Sequence, residues 1–239
     1  MVFLSGYFVP AICIVAEFAG LAADRRDCLN CIIFDCDGVL VDSEAISAKI
    51  FQGMVAELGF VVDFETVLEQ ITGTSMKENL KFFNDNIEGD LPAGFEMEFR
   101  RRSYEAFKSD LKPIKGIHDL LDKINVPVGV ASSSPVEKIR LNLTTTNLID
   151  RFENNIFSSY DIGSWKPDPD IYLYAAGKMG FRPEECAVIE DSVPGIKASR
   201  GGGFAVFGYA KNKSRTAFEE LGATVFSEMG DLGKLLGLD

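Results

Sequence analysis

With 239 residues, 46% of them apolar, and a balanced mix of charged side chains, the chain has enough material to bury a full core and is not disordered. A formal net charge of -12 excludes nucleic acid or an anionic membrane surface as the main partner, since both require clustered Lys and Arg. An anionic substrate would need a local cation instead.

Residues Met1 to Ala23 are apolar but contain Pro10 and Glu17, with no Lys or Arg ahead of the apolar run. The run is short for a spanning helix and lacks the basic leader of a signal peptide. Residues 1–30 therefore read as an apolar N-terminal extension, and translation is expected to begin at Leu29, just before the first strand. The five cysteines, Cys13, Cys28, Cys31, Cys36 and Cys186, are odd in number and form no secreted framework, which points to a reduced, cytoplasmic protein. Cys28 and Cys31 lack a second pair for zinc and read as small packing residues.

Cys31-Ile32-Ile33-Phe34 predicts a strand, and Asp35-Cys36-Asp37-Gly38 follows it directly. In an extended backbone residues i and i+2 face the same way, so Asp35 and Asp37 are expected to converge on one point, with Gly38 turning the chain away. A calcium loop does not fit, because its Gly belongs at the sixth position and an acid at the fifth, where this chain has Gly38 fourth and Val39 fifth. Cysteine-phosphatase chemistry is excluded too. The Arg required six positions after a nucleophilic Cys is Ala19, Phe34, Asp37, Asp42 or Ser192. The single histidine, His118, reads as a surface residue at a helix start, so carboxylates must carry any chemistry.

From Ile46 to Leu58 apolar residues recur at helical spacing, and helical segments follow near Phe64 to Gln70, Ser75 to Asn84 and Gly94 to Ser109 before Lys112-Pro113 stops the run. Residues 44–115 thus read as an all-helical insert. Beyond Gly116 helices and strands alternate: helix Ile117 to Ile124, strand Val126 to Ala131, helix Pro135 to Thr144, a short strand near Asn155 to Ser158, and helix Pro169 to Gly180. Strand Ala187 to Ile189, helix Pro194 to Arg200, strand Phe204 to Phe207, helix Ser214 to Leu221, strand Thr224 to Val225 and helix Met229 to Leu236 complete the chain. Such alternation predicts an α/β fold, a parallel sheet wound on both faces, built from residues 31–43 and 116–239.

Three polar clusters sit at strand ends or in loops of this region. Ser132-Ser133-Ser134 follows a strand and opens a helix, where a hydroxyl and backbone N–H groups make a phosphate site. Lys166 stands before Pro167, which holds it extended. Glu190-Asp191 ends a strand and, with Asp35, could hold Mg2+ through hard oxygen ligands.

Taken in order, the acid pair, serine, lysine and second acid pair resemble the four motifs of the haloacid dehalogenase superfamily of phosphotransferases, and the insert resembles its C1-type helical cap. The resemblance covers the chain from about Cys31 onward and implies a Rossmann-like core. It also implies roles: Asp35 as nucleophile, Asp37 as general acid and base, Ser132 and Ser133 as phosphate-binding groups, Lys166 as charge neutraliser, and Asp35, Asp37, Glu190 and Asp191 as the Mg2+ site. The dehalogenase branch lacks an acid at the position of Asp37, which favours phosphate over halide chemistry.

Elementary electrostatics asks for the same parts. A carboxylate meeting a phosphoryl group repels it by about 4 kcal/mol per unit charge pair at 4 Å and an effective dielectric near 20, so cations must be at hand. Mutases of the group carry a His where this chain has Ser47 and an Arg where it has Met76, so the resemblance favours hydrolysis over a phosphomutase, or over a catalytically silent module that keeps the fold. The stretch Phe157 to Pro169 resembles that of the family's sugar-acid phosphatases, implying a small phosphorylated sugar or sugar acid as substrate. Lys77, Lys81 or an arginine of Arg100-Arg101-Arg102 could meet a carboxylate, although three consecutive arginines on a helix mostly form a solvated face.

Overall fold

The computed structural model describes residues 12–13, 28–72, 74–87, 90–210 and 215–238. Strands β1 (Ile12–Cys13) and β2 (Cys28–Leu29) pair antiparallel. Leu29 is buried in the core and the Asn30 N–H donates to the Glu185 carbonyl (2.8 Å), so the fold already takes in the end of the leading segment; the rest of that segment lies outside the described residues.

Strand β3 (Cys31–Phe34) leads into four helices, α1 (Glu44–Glu57), α2 (Phe64–Ile71), α3 (Met76–Asn86) and α4 (Phe95–Asp110). The alternating part follows: α5 (Ile117–Lys123), β4 (Val128–Ser132), α6 (Val136–Thr145), α7 (Ile149–Phe152), β5 (Ile156–Ser158), α8 (Ser159–Ile162) and α9 (Asp170–Met179). It ends with β6 (Cys186–Glu190), α10 (Val193–Gly201), β7 (Ala205–Tyr209), α11 (Arg215–Glu220), β8 (Thr224–Phe226) and α12 (Met229–Leu235). Helices α7 and α8, of four residues each, are too short to leave a periodic signal and were not anticipated.

Six strands form one parallel sheet in the order β5-β4-β3-β6-β7-β8. The two-residue period of β3 divides the core. Ile32 and Phe34 face a cluster with Ile117, Leu121, Ile139, Leu143 and Phe152, while Cys31 and Ile33 face Tyr172, Ala175, Ile196 and Phe204. Each large side chain so buried stabilises the fold by about 1.5–3 kcal/mol, and because both faces are covered the strands read as continuous apolar runs.

The helical cap has its own core, in which Phe51 meets Phe83, Phe95 and Phe99 with ring centroids 4.4, 5.2 and 5.4 Å apart. Along α4 the buried stripe recurs every fourth residue as Phe95, Phe99, Ser103 and Phe107, the period of one helix face. Helix α3 starts at a capping box: the Ser75 backbone N–H donates to Glu78 Oε2 (2.8 Å) and the Glu78 N–H donates to Ser75 Oγ (3.2 Å). A short neck joins cap to core. The Asp42 N–H donates to the Lys112 carbonyl (3.0 Å), the Ile114 N–H donates to the Leu40 carbonyl (2.9 Å), and Val41 bridges Pro113 antiparallel.

Candidate active site

Strands β4, β3 and β6 are neighbours, and their C-terminal ends carry Ser132, Asp35 and Glu190-Asp191, so three stretches distant in sequence meet at one edge of the sheet. Asp35 is tied to the neighbouring strand by its N–H, which donates to the Ile189 carbonyl (2.9 Å). The chain then turns tightly, with the Gly38 N–H donating to the Val41 carbonyl (2.8 Å) and Leu40 and Val41 donating to the Cys36 carbonyl. Gly38 has φ +83°, and a Cβ there would stand 2.0 Å from Asp191 Oδ2, so both conformation and space demand glycine.

Lys166 Nζ, almost fully buried, donates to Asp35 Oδ1 (2.8 Å) and Glu190 Oε1 (2.6 Å). Glu190 is enclosed: Oε1 also accepts from the Tyr172 hydroxyl (2.8 Å), and Oε2 accepts from the N–H groups of Asp191 (2.9 Å) and Ser192 (2.8 Å) and the Ser192 hydroxyl (2.9 Å). Burial pushes the Glu190 carboxyl up, but Lys166 and these donors outweigh it and hold the group below its usual range. Burial and the charge of Glu190 push Asp35 up to about 7 against the opposing pull of Lys166. Asp191 is pushed well above its usual value by burial and by the charges of Glu44, Glu190 and Asp35.

Asp35, Glu190 and Asp191 each offer an oxygen, and these lie within 4.8 Å of one another. The Asp191 carboxylate accepts no hydrogen bond among the described residues. A crowd of hard oxygen donors with surplus negative charge suits a divalent cation, and Asp35 and Asp191 retain the open lone pairs to hold one.

The carboxylate of Asp37, expected beside them as a metal ligand, stands apart from the three. The same-face rule for residues i and i+2 requires an extended backbone, and here the chain leaves the strand at Asp35 and is already turning at Cys36. Asp37 Oδ2 accepts from Lys138 Nζ (2.8 Å) and Ser134 Oγ (2.9 Å), and Oδ1 accepts from Asn142 Nδ2 (3.2 Å) and the Ser43 hydroxyl. Burial pushes its carboxyl up, but Lys138 and the hydroxyl donors win and lower it. Lys138, Asn142 and Ser43 were not singled out from the sequence, and Ser134 only as part of the serine tract; the i, i+4 spacing of Lys138 and Asn142 on one face of α6 was the available signal.

Ser132 and Ser133 line the same cavity, as do Asp35, Asp37, Lys166 and Asp191 on the core side. Ser132 Oγ accepts from the Ser134 N–H (3.1 Å), and α6 begins just beyond with its free N–H groups. The cavity, about 1080 Å³, runs up to the cap, where Ser47, Met76, Phe99, Arg100 and Ser103 line it. That volume holds a small metabolite with room to spare.

The fold and this edge of carboxylates and one buried lysine define a phosphoryl-handling enzyme. Residues 32–209 match the family of haloacid dehalogenase-like hydrolases. The chain is 31% identical over 209 residues to 6-phosphogluconate phosphatase of Escherichia coli, covering 87% of this chain and 94% of that protein. It is 29% identical over 199 residues to β-phosphoglucomutase of Bacillus subtilis, covering 77% and 85%. Among solved structures, a haloacid dehalogenase-like protein of Agrobacterium tumefaciens superposes with TM-score 0.77 at 31% identity, over 87% of this chain and 98% of that one. The chain belongs to the haloacid dehalogenase-like hydrolases and is a phosphoric monoester hydrolase. No helix among the described residues is long and apolar enough to cross a membrane.

Proposed function

We propose that the protein is a Mg2+-dependent cytoplasmic phosphatase of small phosphorylated metabolites, a sugar phosphate or a sugar acid phosphate such as 6-phosphogluconate, and that it works through an aspartyl phosphate on Asp35. The observation that carries this reading is the contact of Lys166 Nζ with Asp35 Oδ1 (2.8 Å) at the floor of a cavity that Asp191 and Ser132 also line. An oxygen of Asp35 attacks phosphorus as the bond to the substrate oxygen breaks. Ser132, Ser133 and the first N–H groups of α6 bind phosphoryl oxygens, and Lys166 offsets the negative charge that builds there.

With substrate bound, Asp37 must take up a proton against its lowered pKa before passing it to the leaving oxygen; ionised again, it takes one from the water that attacks the aspartyl phosphate, releasing inorganic phosphate and restoring Asp35. Asp35 and Asp191 would hold Mg2+, with Glu190 fixed behind them. Bound there, Mg2+ supplies the further positive charge that lets two anions meet. Ser47 and Met76 offer neither the imidazole nor the guanidinium of the mutases, which supports hydrolysis over phosphoryl rearrangement.

The test is phosphate release from p-nitrophenyl phosphate and a panel of sugar phosphates, with Mg2+ and with EDTA. Release that EDTA abolishes is expected. Interconversion of sugar phosphates without release would establish a mutase instead, and no reaction with any substrate would leave a silent module.

A further inference from the structure

The three consecutive arginines of α4 part company in the folded chain. Arg101 pairs with Glu98 (2.8 Å), and Arg102 pairs with Glu98 (2.7 Å) and Glu57, so both serve the surface of the cap. Arg100 lines the cavity instead. Its Nε and Nη2 donate to Glu96 Oε1 (2.9 and 2.6 Å), Nη2 also donates to the Tyr160 hydroxyl (2.7 Å), and the guanidinium lies 5.5 Å from the centre of the Tyr160 ring. Two elements, α4 of the cap and α8 of the core, therefore hold one guanidinium in place. Nη1 takes part in none of these three bonds, and the Tyr104 hydroxyl, one turn further along α4, also lies within reach of the guanidinium.

One helical turn further on is Ser103. It occupies a position in the buried stripe otherwise filled by Phe95, Phe99 and Phe107, and only 2% of it is exposed. It lines the same cavity, and its Oγ has no hydrogen-bond partner among the described residues. A polar group in an apolar stripe without a protein partner calls for a partner that the protein does not supply. Arg100 and Ser103, at i and i+3, present their side chains on one face.

We propose that Arg100 and Ser103 form a second subsite that grips the carboxylate of a phosphorylated sugar acid whose phosphate lies at Asp35 and Lys166. This rests on the phosphatase reading above and names the substrate class within it. The remaining guanidinium nitrogen, Nη1, and the Ser103 hydroxyl offer one donor each to the two oxygens of a carboxylate. Glu96 already shares the charge of Arg100, which leaves a subsite suited to a monoanion rather than to a second phosphate dianion. The competing cap cations fit less well: Lys81 is bound to Asp85, and Lys77 is exposed.

The experiment compares kcat/KM on 6-phosphogluconate, glucose 6-phosphate and fructose 1,6-bisphosphate for the native protein and for Arg100→Gln, Arg100→Lys, Ser103→Ala and Lys77→Met. The native enzyme is expected to prefer the sugar acid over the aldose phosphate by about 10- to 100-fold, the worth of one charge-assisted pair. Arg100→Gln brings that ratio close to unity, chiefly through KM; Arg100→Lys recovers part of it, and Ser103→Ala lowers it several-fold. Turnover with a ratio that Arg100→Gln leaves unmoved, a ratio that follows Lys77→Met, or a preference for the bisphosphate overturns the subsite while the phosphatase reading stands. Failure to release phosphate from any substrate, p-nitrophenyl phosphate included, overturns both.

Discussion

Lys138 Nζ stands 2.8 Å from Asp37 Oδ2 and 5.7 Å from the centre of the Phe107 ring, so one ammonium touches both the proposed acid-base group and the cap. Its charge helps hold the Asp37 carboxyl below the usual range, and losing it lets burial raise that pKa. Asp37 must be ionised to accept a proton from water, so Lys138→Met is expected to move the acid limb of the kcat profile to higher pH, with a loss of about 10-fold or more at pH 6. Lys138→Arg keeps the charge and should keep most of the profile. An acid limb that does not move in Lys138→Met would show that the contact is structural alone.

Asp35→Asn removes the nucleophile and leaves the fold of the strand tip intact. Phosphate release should fall by about 10⁴-fold or more, while Mg2+ affinity falls far less, because Asp191 remains. Near-normal turnover in Asp35→Asn would refute the assignment.

Gly38→Ala places a Cβ where Asp191 Oδ2 lies 2.0 Å away and forces a side chain onto φ +83°. The backbone strain costs about 1–2 kcal/mol, and Asp191 must move. Mg2+ affinity, read as the concentration that half-saturates the rise in melting temperature, is expected to weaken about 10- to 100-fold. An unaltered Mg2+ titration would mean that Asp191 is no ligand.

The pKa of Asp35, up at about 7 rather than 3.8, gives a pH signature without any substrate. A raised folded-state value means that the protonated group favours the metal-free fold. That contribution is full below 3.8 and is lost as pH rises through about 7. Protons and Mg2+ compete for the same oxygens, and Asp191 shifts in the same direction. The Mg2+-induced gain in melting temperature should therefore be larger at pH 8 than at pH 6, with affinity roughly 10-fold weaker at the lower pH. Equal gains at both would argue against carboxylates as the ligands.

Much of this was legible in the chain itself. Strand β3 and the acids beyond β3 and β6 could be read because buried parallel strands are short apolar runs that stop at their functional ends. The surroundings of Asp37 could not be read. Lys138 and Asn142 are 101 and 105 residues away, and their meeting depends on β4 lying beside β3 and on which face of α6 turns inward. The separation of the Asp37 carboxylate from those of Asp35, Glu190 and Asp191 rests on a local fact, the turn at Cys36. The arginine run reads as a solvated face, yet only Arg101 is exposed, and only packing against α8 could single out Arg100.

The neck between Leu40 and Ile114 has a consequence for how such enzymes diversify. The entry and exit segments are bonded to each other across Asp42–Lys112 and Leu40–Ile114, so the two ends of the helical insert lie side by side on the core. A different helical module with adjacent ends could be spliced between those residues without rebuilding the sheet or the tips of β3, β4 and β6. If the cap selects the substrate as proposed, a chimaera that exchanges only residues 44–111 should change what is cleaved while keeping how it is cleaved.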